Sequence, residues 1–160
     1  PLLACVGIGR DRTMQQDLGF GLRQLVDVGI RALSPSLNDP TTAVQAIDQL
    51  HGLLRRLSSK QMPSSVHLDD SGTRRVVLPA STWDDMVHLA FDELRHHGES
   101  SMQVLRRLRH AMVDLAACVP PERRRAIQEQ LDLLDAAVSR SFPDPGDRVG
   151  AAAPDAQGIR

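Results

Sequence analysis

Two prolines five residues apart, Pro35 and Pro40, constrain this chain more than any other feature. They stand between two segments with helical periodicity, in the stretch DLGFGLRQLVDVGIRALSPSLNDPTTA from Asp17 to Ala43. Upstream, Leu18, Leu22, Leu25, Val26 and Leu33 recur at the spacing of one helix face. Pro35 pushes Ser34 out of the α region and ends that helix near Leu33, while Asp39 followed by Pro40 starts a second. So short a link folds the two helices into a hairpin and gathers Ser34, Asn38 and Asp39 at its corner. Arg23, Asp27 and Arg31 recur every four residues, so Asp27 and Arg31 are expected to touch as a partly buried pair. The plain reading of the corner is capping, with Asp39 accepting from the N–H of Thr41 or Thr42 and Asn38 closing the turn. The alternative is a small-molecule or ion pocket built on Asp27, Arg31, Asn38 and Asp39.

The remaining punctuation divides the chain further. The second helix is expected over Pro40 to about Ser58, burying Ala43, Ile47, Leu50, Leu54 and Leu57, with Arg55, Arg56 and Lys60 complementing the dipole of its last turn. Pro63 closes that region. Ser65–Leu68 and Arg74–Leu78 read as two strands around the turn residues Asp69, Asp70, Ser71 and Gly72. A lone hairpin is marginal in water, so it is expected to join a strand formed by Leu2–Ile8. Thr13 with Gln16 reads as the capping box of the first helix, Ser81 with Asp84 as that of the third, and Ser100 with Gln103 as that of the fourth. Gly98 stops the third helix, and Pro120 and Pro121 divide the fourth from a fifth that ends near Phe142. Beyond Pro143 the proline, glycine and alanine lack periodicity, and residues 143–160 read as a disordered tail. The expected fold is mainly α: about five antiparallel helices, a small β-hairpin between the second and third, and a short N-terminal strand, in one domain over residues 1–142.

Composition narrows the function classes. A chain of 160 residues with 41% hydrophobic residues can bury a core without disulfide or metal. Its net charge of −1 and 2% aromatic content give no basis for nucleic-acid binding. Cys5 and Cys118 lack metal spacing and read as buried, reduced thiols. No apolar run reaches the length of a membrane span, and a chain opening on Pro1 without a signal peptide reads as a fragment. The metal-like arrangement is Asp84, His88, Asp92 and His96 at four-residue steps, although a four-residue step drifts around a helix and the preferred reading is a solvated stripe. The arginines at 106, 107, 109 and 123–125 read as solvated helix surface flanking a connection. No nucleophile elbow, phosphate loop or Cys–His pairing is present, so no catalytic residue and no cofactor is assigned; the reading leans away from an enzyme, with a catalytic use of the corner pocket left open.

The residues at the corner carry a resemblance. Arg12, Thr13, Gln16, Asp17, Phe20, Gly21 and Asp27, followed by RALSPSLNDPTTA from Arg31 to Ala43, resemble the signature of predicted bacterial integral membrane proteins known as domain of unknown function twenty-two fifty-four. The likeness spans Pro1 to about Phe142, and Gly29, Ser36 and Thr41 depart from it. It implies transmembrane helices upstream in the same chain, then a small β-containing part, and places this segment as the soluble helical region that follows; the reduced thiols suit the cytoplasmic face. The candidate binding residues are Arg12, Asp17, Asp27, Arg31, Ser34, Asn38 and Asp39. The function expected is a regulatory or assembly domain of a membrane protein. Helix-interior glycines at 19, 21 and 29 call for a close neighbour, and Phe20 and Val28 point away from the first helix's core face, so a homo-oligomer is expected.

Overall fold

The computed structural model describes residues 17–157. Within them the chain forms α1 (Leu18–Ala32), α2 (Pro40–Leu57), β1 (Val66–Leu68), β2 (Arg74–Val77), α3 (Trp83–His97), α4 (Met102–Cys118), α5 (Arg124–Ser141) and α6 (Pro145–Ala152). A 3-10 turn over Pro121–Arg123 leads into α5. The fold is thus mainly helical with a hairpin between the second and third helices. Leu2–Ile8, Thr13 and Cys5 lie outside the described residues, so the expected N-terminal strand does too.

The helices close a ring. α1 lies against α2 and α3, α2 against α4, and α5 against both α3 and α4. The core is what the apolar spacing dictates: Leu22 and Val26 from α1, Ile47, Leu50 and Leu54 from α2, Phe91 and Leu94 from α3, Leu105, Leu108 and Met112 from α4, and Ile127 and Leu134 from α5 are fully buried. Gly29 shows how tightly α1 is seated. A Cβ there would come within 2.5 Å of a Leu94 methyl and 3.4 Å of the Ala46 Cβ. The glycine that departs from the family pattern is therefore filled by α3 of the same chain.

Several starts differ from expectation by a residue or more. α1 begins after Asp17, which is extended and accepts from the Phe20 N–H, while the capping box read at Thr13 and Gln16 lies outside the described residues. α3 is capped by Thr82 with Asp85 in a reciprocal capping box, and α4 by Ser101, each one residue beyond the serine read from the sequence. The segment read as a disordered tail carries α6. Asp144 caps it through the N–H groups of Gly146 and Asp147, Ala151 is buried, and Arg106 donates to the Gly150 carbonyl at 2.5 Å. Here a cap and one small buried side chain do what a periodic stripe does elsewhere.

The hairpin turn is held by Asp69, whose carboxylate accepts from the N–H groups of Ser71 and Thr73 and from Arg75 Nε, with Gly72 at φ 78°. The Ser71 hydroxyl and these other donors hold the Asp69 carboxyl down to about 2. Among the described residues the sheet has two strands. Leu68, Val77 and Leu78 remain exposed on it.

Candidate functional site

The corner between α1 and α2 is built by its own backbone. The N–H groups of Leu33 and Ser34 return to the carbonyls of Gly29 and Arg31, Asn38 N–H reaches Ser34 O at 2.9 Å, and Asp39 N–H reaches Ala32 O at 2.8 Å. Asn38 adopts φ 47°, a left-handed conformation that asparagine tolerates better than most residues. Asp39 then caps α2: one carboxylate oxygen accepts from Thr42 N–H at 3.0 Å and the other from the Thr42 hydroxyl at 2.5 Å. Those two bonds, the hydroxyl's first, hold the Asp39 carboxyl below its ordinary value. The Ser34 hydroxyl pairs with the neighbouring Ser36 hydroxyl, at 3.2 Å.

The candidate residues do not converge on one point. Asp27 and Arg31 are both exposed, which corrects the expected partly buried pair: the core face of α1 lies on the opposite side, on Leu22, Val26 and Gly29. Asp17 caps the far end of α1, roughly 20 Å from Asp39's end of the helix at 1.5 Å per residue. There it borders a groove of about 1030 Å³ between the hairpin and the helix ends, with Lys60, His67, Ser81 and Asp85. Arg12 lies outside the described residues. What the corner does bring together is a shallow, open depression of about 310 Å³ lined by Val28, Arg31, Ala32, Leu37, Asp39 and Thr42. Val28 is 46% exposed and Leu37 59%. Phe20, expected beside Val28 on an uncovered face, is half-buried instead.

The stripe on α3 divides. His88 and Asp92 meet, Nδ1 to Oδ2 at 3.3 Å, and the fully buried Gln130 of α5 donates to Asp92 at 2.6 Å and lies 3.0 Å from His88 Nδ1. His96 is exposed and stacks edge-on with His97. Among the described residues no group of three His, Cys, Asp or Glu side chains converges as a metal site would.

Two arginines read as solvated surface are structural instead. Arg107 is 4% exposed and crosses from α4 to α2, where Nε donates to Asp48 at 2.5 Å and Nη2 to His51 Nδ1 at 2.9 Å. His51 Nε2 meets Asp114 at 2.8 Å, and Asp114 also takes Arg55. A guanidinium cannot accept, so His51 Nδ1 accepts and Nε2–H donates, which makes the imidazole neutral. Burial pushes its pKa below 6.5, and the Arg107 charge adds to that against the opposing pull of Asp114. The signal was present in Asp48, His51 and Arg55 on α2 and Arg107, His110 and Asp114 on α4, each set at helical spacing. Arg123, from the turn before α5, donates to the carbonyls of Leu57, Ser58 and Lys60 and lies 5.3 Å from the centre of the Trp83 ring. It finishes the end of α2, a task expected of Arg55, Arg56 and Lys60. Cys118, read as buried, is an exposed free thiol at the end of α4.

A ring of helices carrying a proline-bounded corner and a hairpin insert is the class of domain these elements define. A family model described as a predicted membrane protein, domain of unknown function twenty-two fifty-four, matches residues 1–114, and the chain belongs to that family. Uncharacterized proteins of Mycobacterium bovis and of two strains of Mycobacterium tuberculosis are each 41% identical over 152 residues, covering 92% of this chain and 29% of the relative. The chain thus spans less than a third of the length of these relatives. No solved structure matches it. Among the described residues no helix is long and apolar enough to cross a membrane.

Proposed function

We propose that this chain is an extramembrane helical domain of a bacterial membrane protein, lying on the cytoplasmic side beside membrane-spanning helices of the same polypeptide, and that its task is assembly of copies of that protein. One observation carries the reading: Ser34, Asp39 and Thr42 spend their polar groups within the corner, while apolar side chains turn outward. Both oxygens of Asp39 are engaged by Thr42, and the serines pair with each other. Val28 and Leu37 stay open to solvent on either side of Ala32. Exposed apolar side chains beside a carboxylate already engaged as a helix cap have the character of a protein contact rather than of a site poised to grip an ion. The exposed thiol of Cys118 suits a reducing compartment. A small ligand in the corner depression is the weaker reading, because the depression is wide open and at the small end of ligand-pocket volumes.

Sedimentation equilibrium of the chain over a range of micromolar concentrations tests the proposal. Assembly predicts a mass that rises with concentration toward twice that of one chain. A single-chain mass at every concentration would sink it.

A further inference from the structure

The outward face of α1 carries two opposite charges one helical turn apart. Asp27 and Arg31 are exposed, and neither side chain has a hydrogen-bond or ion-pair partner among the described residues. Between them along the helix lies the exposed Val28, and just past the end of the helix lies the exposed Leu37. The other charge on this side of the helix, Arg23, is already taken by Glu93 of α3. So one acid, one base and two apolar side chains are left over on a single surface.

From this leftover set we infer that α1 packs against α1 of a second copy across a two-fold axis, with Asp27 of each copy facing Arg31 of the other. The inference rests on the assembly reading above and gives it a surface. In a two-fold contact, residue i meets residue j and j meets i, so a surface must be complementary to itself. An acid and a base four residues apart on one helix meet that requirement when two such helices run antiparallel with the axis level with residue 29. The separation along the helix, about 6 Å, is then matched end for end, and both charge pairs form at once. Val28 of the two copies meets near the axis, and Leu37 extends the apolar contact toward the α1–α2 corner. The arrangement also gives the exposed Val28, between the two charges, an apolar partner. Charges at the edge of an apolar contact set its register and orientation more than its strength.

A charge swap separates this pairing from an ordinary pairing within one helix, because only the former reaches the oligomeric state. Sedimentation is read for the wild-type chain, Asp27→Arg, Arg31→Asp and the double swap, with circular dichroism to follow the fold, which exposed side chains leave intact. Each single swap places like charges opposite each other at both ends of the contact and is expected to raise the dimer dissociation constant about tenfold or more. The double swap is expected to restore it, and added salt to narrow the differences. A dimer indifferent to the single swaps, or a double swap that does not recover, overturns this surface while leaving assembly intact. A wild-type chain that is a monomer throughout overturns both.

Discussion

His51 is the residue whose protonation the fold decides most firmly. Its Nδ1 faces the Arg107 guanidinium at 2.9 Å, so a proton added there would set two donors against each other between α2 and α4. The folded chain therefore favours the neutral ring, with a pKa lowered from 6.5 by burial first and by Arg107 after it. A group whose proton is disfavoured by folding contributes stability that is complete above its unfolded value and is lost as pH falls through the lower folded one. The denaturation midpoint should thus drop on acidification from above to below 6.5, and His51→Gln should flatten that drop by its own share. Equal pH dependence in the two proteins would contradict the assigned tautomer. This network was not legible as such in the sequence. Arg107 sits in a run with Arg106 and Arg109, and only the packing of α4 on α2 buries one of them. Asp39 was legible because a cap is local: the donors it satisfies lie three residues away.

At the scale of elements, apolar periodicity and proline punctuation located α1 to α5 and the hairpin, because each signal acts within a few turns of itself. The caps at Thr82 and Ser101 slipped by one residue, since adjacent Ser and Thr or paired Ser residues offer equivalent oxygens and the choice depends on how the helix docks. α6 was hidden for another reason: its burial rests on Ala151 and on backbone bonds to Arg106, which leave no apolar stripe. Gly29 joins the sequence and packing levels most sharply. Alanine is worth about 1 kcal/mol over glycine in a helix interior, so propensity alone favours Gly29→Ala. The Leu94 methyl 2.5 Å from the new Cβ opposes it, and overpacking a fixed core costs about 1–3 kcal/mol. The clash should win, because Leu94 is fully buried and has little room to move. Urea denaturation of Gly29→Ala should therefore show a net loss of up to about 2 kcal/mol. A gain would mean that α1 rides more loosely on α3 than this packing allows.

At the scale of the whole molecule, five helices close on one core and α6 and the hairpin are added to it, leaving the outer face of α1 and the corner as a surface with unmatched charge and exposed apolar groups. That surface lies at the segment carrying the family signature, in a family described as predicted membrane proteins, and the mycobacterial relatives extend well beyond the length of this chain. Copies held in one membrane would meet at raised local concentration, so even a modest contact between helices would be occupied. The central claim is that two copies meet through α1, and cysteine cross-linking reads it most directly. In a chain with Cys5→Ser and Cys118→Ser, Val28→Cys places a thiol beside the two-fold axis. Mild oxidation should convert Val28→Cys to a covalent dimer much faster than Val113→Cys or Leu133→Cys, whose side chains are exposed to a similar degree on other helices. Dimer formation at Val28→Cys no faster than at those two positions would contradict the account.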